Sequence, residues 1–205
     1  TVIDEYISSA EQKWTSMKGL VLLLPHGYEG GGPDHSNARP EWVRQRGAEN
    51  KRVVTNITTA ANFFHGLRRQ LAWPFRKPLI NMSPKANLRH PRSYSEVSGF
   101  TTGRFREILD DPFIPDAADV KKVLFCSGKI YFDLSEKQMK ENRKDVAIIR
   151  LEQLYPLPEK QLEAIHRKYQ KATWFWVQEE PLNMGAASYL QMNLKFINYG
   201  IISRN

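Results

Sequence analysis

Residues 19–40, GLVLLLPHGYEGGGPDHSNARP, decide the fold that we expect for this chain. The apolar run from Leu20 to Leu24 is short enough to be a buried strand. It is followed by four glycines within six positions, namely Gly27, Gly30, Gly31 and Gly32. Pro40 suits an early position of the next helix. A strand, a glycine-rich loop and a helix in this order predict one step of an open α/β sheet, in which ligands bind outside the carboxyl ends of the strands.

Two histidines bracket the glycine-rich loop, His26 at the end of the strand and His35 within GPDHS. Histidine gains and loses a proton near neutral pH, so both are candidate catalytic residues. The loop lacks the Gly-Lys-Ser/Thr ending of a phosphate-binding P-loop, and its glycines do not match GxGxxG. The spacing of His26, Asp34 and His35 does not favour a metal site, and we predict no metal ligands. The alternative is a surface loop with solvated histidines.

The composition is that of a globular protein, with 41% hydrophobic and 25% charged residues among 205. This length allows one large domain or two small ones. The single cysteine, Cys126, excludes an internal disulfide, and its apolar surroundings predict a buried, inert thiol. No apolar run approaches the ~20 residues that a membrane helix requires, and no signal peptide is visible. We therefore expect no membrane partner.

The net charge of +8 comes from one block of the sequence. Residues 50–95 contain nine Lys or Arg and no Asp or Glu, whereas the rest of the chain has 21 basic and 22 acidic residues. Such a block suits anionic small molecules or an acidic neighbouring subunit. Nucleic acid is an alternative ligand, but the block has neither a clustered basic run nor a nucleic-acid-binding motif. We expect no nucleic-acid partner.

Hydrophobic periodicity predicts α/β structure, with two units whose sheets are mostly parallel. In the first unit we expect strands at 20–24, 52–57 and 78–82, and helices at 1–17, 39–48 and 60–71. The last of these helices should bury Phe63, Phe64, Leu67 and Leu71. Prolines and glycines are frequent in 84–119, which predicts a connecting arm.

The second unit should contain strands at 120–126, 145–151 and 173–177, which alternate with helices at 135–143, 158–169 and 184–194. This alternation is typical of right-handed βαβ crossovers. Ser135 and Gln138 have the spacing of a capping box, which places the beginning of the first of these helices at Ser135.

Six blocks of sequence resemble the C-terminal part of the 2-oxoglutarate dehydrogenase family. This family is the thiamine-diphosphate-dependent, decarboxylating component of its complex and is transketolase-like. The blocks are LLLPHGYEGGGPDHSNARPE, TTAANFFHGLRRQ, FRKPLINMSPKANLRHPRS, VLFCSGKIYFDL, DVAIIRLEQLYPLP and WVQEEPLNMGA. They follow the family order along essentially the whole chain. The chain departs from the family pattern at Gly31, at Ala60 and in 42–47, and none of these changes affects a histidine.

The resemblance implies transketolase-like, or Rossmann-like, units, of which the first is incomplete. Residues 1–83 would be the latter part of a pyrimidine-binding domain, 84–119 the connecting arm and 120–205 a truncated C-terminal domain. The GDG motif that binds the cofactor diphosphate in the family does not occur in this chain. We therefore expect a fragment that neither binds thiamine diphosphate appreciably nor turns over 2-oxoglutarate by itself.

The resemblance also implies a reaction of the tricarboxylic acid cycle. The complete enzyme would decarboxylate 2-oxoglutarate oxidatively with thiamine diphosphate and Mg²⁺, and transfer the succinyl group to a lipoyl group on a dihydrolipoamide succinyltransferase component. His35 would move the proton of the substrate-derived oxygen, and His26 would line the access path of the substrate or lipoyl group. A homodimer in the bacterial cytoplasm or the mitochondrial matrix is expected. The alternatives are a non-catalytic dimerisation or assembly module of the same fold and a basic nucleic-acid-binding protein.

Overall fold

The structure is a computed structural model that describes residues 6–27, 38–41 and 50–204. The described helices are, in chain order, α1 (Ala10–Trp14), α2 (Ala60–Ala72), α3 (Val97–Thr101), α4 (Ile130–Lys140), α5 (Glu159–Lys168) and α6 (Ala187–Asn193). The described strands are β1 (Val21–Leu24), β2 (Val53–Thr55), β3 (Leu79–Met82), β4 (Ile108–Leu109), β5 (Lys122–Cys126), β6 (Val146–Leu151), β7 (Gln153–Tyr155), β8 (Thr173–Pro181) and β9 (Tyr199–Arg204).

The chain forms two compact units. One consists of Thr1–Arg106 with Gln153–Leu157, and the other of Glu107–Glu152 with Pro158–Asn205. The boundary after Arg106 falls inside the segment 84–119, which also contains α3, β4 and 3₁₀ helices at Lys85–Leu88, Pro91–Ser93 and Ala117–Asp119. The predicted domain limits of 1–83, 84–119 and 120–205 stay predictions.

The first unit is built on a four-stranded sheet in the order β1-β3-β2-β7. β3 pairs in parallel with both β1 and β2, so that Leu79 lies opposite Val21 on one side and Val53 on the other. β7 is antiparallel to β2 and forms an edge. Val54 and Ile80 have no exposed surface, as expected for parallel strands that are covered on both faces. The three parallel strands therefore end at one edge of the sheet.

The second unit contains a five-stranded sheet in the order β4-β6-β5-β8-β9. Its neighbours are parallel except for the short edge strand β4, which is antiparallel to β6. Phe125 on β5 lies at the centre of an aromatic group. Its ring centroid is 5.7 Å from that of Trp174, 5.2 Å from that of Trp176 and 5.2 Å from that of Tyr199. The prediction of two α/β units with mostly parallel sheets is confirmed.

The six predicted strands are all present, and most are shorter than predicted. Among the helices, α2 and α5 match the predictions within two residues, and α6 is a shorter form of the helix expected at 184–194. The helix expected at 1–17 is described only as Ala10–Trp14. Most of the helix expected at 39–48 lies outside the described residues.

The prediction of the buried face of α2 was wrong for Phe64 and Leu71, while Phe63 and Leu67 are half-buried. Phe64 is 40% exposed and Leu71 is 80% exposed. The buried positions are instead Asn62, His65, Gly66 and Gln70. The reason is that backbone polar groups approach this face. Asn62 bonds with both the N–H and the carbonyl of Arg106, and the Gln70 amide donates to the Lys77 carbonyl.

The predicted beginning of α4 at Ser135 was also wrong. The helix begins at Ile130, directly after Gly128 and Lys129, and Ser135 lies buried in its interior. The Ser135 hydroxyl donates to the carbonyl of Phe132 at 3.1 Å, so it bonds within the helix instead of capping it. The Ser-x-x-Gln pattern at 135–138 therefore lies inside the helix and does not indicate its beginning.

Candidate functional site

The carboxyl edge of the first sheet brings together residues from three strands. β1 is followed by Pro25, His26 and Gly27, β2 by Asn56, and β3 by Ser83. Because β3 lies between β1 and β2, the residues after β1 and β2 are separated by two strand spacings, or about 10 Å. The end of β3, with Ser83, lies between them. In open α/β sheets, ligands bind outside this edge.

His26 joins the two described ends of the segment that contains residues 28–37. Its side chain is buried, and its Nδ1 atom lies 3.0 Å from the carbonyl oxygen of Ala38. The Ala38 N–H in turn donates to the carbonyl of Pro25 at 3.2 Å. Gly27, with φ of 114°, adopts a backbone conformation that favours glycine. Residues 25–27 and 38 are thus held together by a pair of hydrogen bonds.

The contact with Ala38 determines the role of each nitrogen of His26. A carbonyl oxygen only accepts, so Nδ1 must carry the proton and donate it. In the neutral ring, Nε2 is then the nitrogen without a proton. Protonation of Nε2 leaves the Nδ1 donor in place. The bond to Ala38 therefore persists in both protonation states of the imidazole.

The other candidate catalytic residue, His35, lies outside the described residues, as does Asp34. Of the two predicted histidines, the structure therefore places only His26 at the carboxyl edge. The role of His35 stays a prediction.

Asn81 connects β2 to β3 at this edge. Its Oδ1 atom accepts hydrogen bonds from the Thr55 hydroxyl at 2.8 Å and from the Ile57 N–H at 3.3 Å. Its Nδ2 atom donates to the hydroxyl of Ser83 at 2.8 Å. Asn81 and Thr55 are both buried, so these bonds are protected from water. The parallel ladder continues beyond the strands, because the Ser83 N–H donates to the Leu24 carbonyl at 2.7 Å.

Asn56 contrasts with Asn81. It is 4% exposed, and its Oδ1 atom has no hydrogen-bond partner among the described residues. It follows directly after Thr55, at the edge where ligands of this fold class bind. Sequence analysis missed both asparagines. The available signal was an amide side chain within the apolar strand LINM and another directly after the strand VVT.

His65 has a structural role in the first unit. Its Nε2 lies 2.7 Å from the carbonyl oxygen of Gly99, and its Nδ1 lies 3.2 Å from a guanidinium nitrogen of Arg68. The arginine nitrogen donates to Nδ1 and the carbonyl accepts from Nε2. The Nε2 bond therefore joins α2 to α3, whereas the Nδ1 bond to Arg68 lies within α2.

Several cations of the basic block 50–95 make contacts within the first unit. The Arg69 guanidinium lies 3.9 Å from the ring centroid of Phe105 and 4.6 Å from that of Trp73, and it donates to the Gln153 amide oxygen at 2.9 Å. Similar polar contacts are made by Arg52 with Ser8, by Arg76 with the carbonyl of Trp73 and by Lys77 with Glu11. Part of the positive charge in 50–95 is therefore used for contacts that stabilise the fold of this unit.

The second unit uses its polar groups near the carboxyl edge of its sheet mainly for bonds with one another. Gln178 Oε1 accepts from the Trp176 indole N–H at 2.9 Å and from the Ala187 N–H at 3.0 Å. Lys129 pairs with Glu179 at 2.9 Å. Burial raises the pKa of the Cys126 thiol to about 12, so the thiol is protonated and inert at neutral pH.

The described residues contain neither a metal-binding cluster nor a membrane-spanning helix. Within the described ranges, no group of three His, Cys, Asp or Glu side chains is arranged to hold a metal ion. None of the described helices is long and apolar enough to cross a membrane.

Comparison with known proteins adds two family matches and several close relatives. Residues 1–91 match the family described as "Transketolase, pyrimidine binding domain", and residues 94–199 match "2-oxoglutarate dehydrogenase C-terminal". The chain is 50% identical over 186 residues to the 2-oxoglutarate dehydrogenase E1 component of Haemophilus influenzae, which covers 90% of this chain and 20% of that protein.

Proteins of the same name from Brucella anthropi and Brucella ovis are each 46% identical to the chain over 208 residues. These alignments cover 96% of this chain and 21% and 20% of the respective relatives. The chain thus spans about a fifth of the length of the curated relatives that it matches. The match to "2-oxoglutarate dehydrogenase C-terminal" alone covers more than half of the chain. The resemblance found in the sequence is confirmed: the chain belongs to the 2-oxoglutarate dehydrogenase family.

Proposed function

We propose that this chain is the C-terminal part of a 2-oxoglutarate dehydrogenase that oxidatively decarboxylates 2-oxoglutarate and transfers the succinyl group to a lipoyl group. The observation that carries this proposal is the order of the two family matches, with a pyrimidine-binding domain followed by a dehydrogenase-specific C-terminal region. Thiamine diphosphate with Mg²⁺, a homodimer, a dihydrolipoamide succinyltransferase partner and a location in the cytoplasm or mitochondrial matrix belong to the same proposal.

The residues at the carboxyl edge of the first sheet fit a ligand that donates hydrogen bonds. Asn56 Oδ1 is a buried acceptor without a partner among the described residues, and an amino group such as that of an aminopyrimidine would satisfy it. The residues that hold the diphosphate are expected in the part of the protein that carries the GDG motif. When bound, thiamine diphosphate supplies a carbanion that adds to the keto carbon of the substrate.

The tasks of the two loop histidines differ in this proposal. His35 transfers the proton of the former keto oxygen, because an imidazole has a pKa near the working pH and general acid–base groups act best under that condition. His26 positions the segment between residues 27 and 38 through its bond to the Ala38 carbonyl. Its burial supports a positioning role better than the predicted role in lining an access path.

The proposed activity is tested on the complete protein that carries these residues. Turnover of 2-oxoglutarate is measured with a lipoyl acceptor, with and without thiamine diphosphate and Mg²⁺, and with pyruvate as the control substrate. We expect turnover that requires the cofactor and prefers 2-oxoglutarate. A complete protein that binds its partner but turns over neither acid would instead support the non-catalytic assembly module.

A further inference from the structure

Asn56 and Asn81 are both buried at the carboxyl edge of the first sheet, but their side chains are in opposite situations. Asn81 uses its oxygen for two hydrogen bonds and its nitrogen for one. Asn56 is 4% exposed, and its oxygen has no partner among the described residues. Among the described residues, the fold thus provides partners for the oxygen of Asn81 but not for that of Asn56.

The unpaired oxygen of Asn56 is unfavourable for the folded protein by itself. Nearly all buried polar groups in proteins have a hydrogen-bond partner, and leaving one without a partner lowers stability. An apolar side chain of similar size would fit a position that has only a structural role better than asparagine does. The amide therefore points to a group that is present when the protein works.

The position of Asn56 indicates what kind of partner this group is. It follows β2, and His26 follows β1 about 10 Å away across β3, at the edge where α/β sheets bind ligands. An amide oxygen accepts only from N–H or O–H groups. Ionised 2-oxoglutarate carries no such group. An aminopyrimidine has an amino group, and a lipoyl amide has an N–H.

We propose that Asn56 Oδ1 is the acceptor for an N–H or O–H group of the ligand that binds at the carboxyl edge of the first sheet. The inference rests on the proposed function in one respect, namely that the donor belongs to thiamine diphosphate or to the lipoyl substrate. Asn56 then contributes to binding at the expense of the stability of the unliganded protein.

The first test measures the stability of the complete protein without ligands. Asn56→Leu replaces the amide by an apolar group of similar size, and we expect the thermal midpoint to rise. The matched control, Asn81→Leu, removes three hydrogen bonds and should lower the midpoint. Asn56→Ala is the second variant if leucine does not fit. A midpoint lowered by both Asn56 variants would show a structural role and overturn the proposal.

The second test measures binding by the same variants. Titration calorimetry with thiamine diphosphate and Mg²⁺ tests the cofactor as the source of the donor, and the KM for lipoamide tests the lipoyl substrate. We expect about tenfold weaker binding for Asn56→Leu in one of these arms, as for the loss of one hydrogen bond from a buried acceptor. If Asn56→Leu changes neither the affinity for thiamine diphosphate nor the KM for lipoamide, an ordered water is the partner of Asn56 Oδ1. That result would overturn the proposal.

The two proposals fail in different ways. If the unaltered complete protein binds thiamine diphosphate and turns over 2-oxoglutarate, a lack of effect of Asn56→Leu on binding counts only against the role of Asn56. If the unaltered protein binds no thiamine diphosphate and turns over no 2-oxo acid, the proposed function is wrong. An effect of Asn56→Leu confined to the affinity for 2-oxoglutarate would also contradict the acceptor role, because that substrate has no donor.

Discussion

The Thr55 hydroxyl donates a 2.8 Å hydrogen bond to Oδ1 of Asn81, and this bond joins the ends of two parallel strands inside the first unit. Both side chains are buried, with 0% and 3% exposure, so water does not compete for the bond. The bond fixes the carboxyl ends of β2 and β3 relative to each other. Asn56 and Ser83, which follow these strands, are positioned by the same connection.

Replacement of Asn81 should destabilise the first unit. Asn81→Leu removes the acceptor for the Thr55 hydroxyl and the Ile57 N–H, and leaves both donors without a partner in a buried environment. We expect the free energy of unfolding to fall by about 2–4 kcal/mol, measured by urea denaturation. A free energy within about 0.5 kcal/mol of the unaltered protein would show that the bonds contribute little.

Replacement of Asp111 should destabilise the second unit in the same way. Its carboxylate is buried and accepts from the Gln138 amide at 2.7 Å, the Ile148 N–H at 2.8 Å and the Phe113 N–H at 2.9 Å. Asp111→Ala leaves three donors unpaired, and we expect a loss of about 3 kcal/mol or more in urea denaturation.

The control for Asp111 is Asp145→Ala. Asp145 forms an exposed pair with Arg143, and the hydrogen bond from that guanidinium lowers the pKa of its carboxyl to about 2. Exposed ion pairs contribute little to stability, so this variant should resemble the unaltered protein. Equal losses for both variants would contradict the importance given to the buried carboxylate.

Alkaline pH should destabilise the second unit through Cys126 and Tyr169. Burial raises the pKa of the Cys126 thiol from 9.0 to about 12. Burial and the hydrogen bond to Asp110 raise the pKa of the Tyr169 phenol from 10.0 to about 12. Between about pH 9 and 12 the unfolded chain therefore releases protons that the folded protein retains. The free energy of unfolding falls as pH rises through this range.

The urea midpoint measured from pH 8 to pH 11 tests this expectation. We expect a decline that begins near pH 9, and a shallower decline for Cys126→Ala, which has no thiol to titrate. A midpoint that stays constant to pH 11 would contradict the assignment. Cys126 should also resist thiol reagents at pH 8 until the protein unfolds, because it is fully buried.

His26 should be replaceable by a residue that keeps its hydrogen bond. The amide nitrogen of asparagine lies at nearly the same distance from the backbone as Nδ1 of histidine, so His26→Asn retains a donor for the Ala38 carbonyl. We expect His26→Asn to keep most of the kcat of the complete enzyme and His26→Ala to lower it about tenfold. Equal losses for both variants would indicate that His26 transfers a proton, as the sequence analysis allowed.

The strands of both units were predictable because runs such as VLLL, VVT and VAIIRL are apolar and, in part, β-branched. The edge strands β4 and β7 were not, since they have two and three residues and exist only through pairing with β6 and β2. The buried face of α2 was predicted wrongly because it, too, depends on contacts with distant segments. Partners from distant segments satisfy Asn62 and Gln70, and periodicity contains no information about them.

The candidate site was predictable in part. The strand followed by glycines led to the carboxyl edge, and His26 is found there. The difference between Asn56 and Asn81 was not predictable, because it depends on which donors the fold places near each amide oxygen.

The catalytic role of His35 is tested most directly by kcat for 2-oxoglutarate in the complete enzyme after His35→Ala. If this histidine moves the proton of the substrate-derived oxygen, kcat should fall by about 10²–10⁴-fold with little change in affinity for thiamine diphosphate. The control is His166→Asn on α5, whose ring packs 5.3 Å from that of Trp174, and it should cost less than about tenfold. A near-normal kcat for His35→Ala would contradict the proposal that His35 transfers the proton of the substrate-derived oxygen.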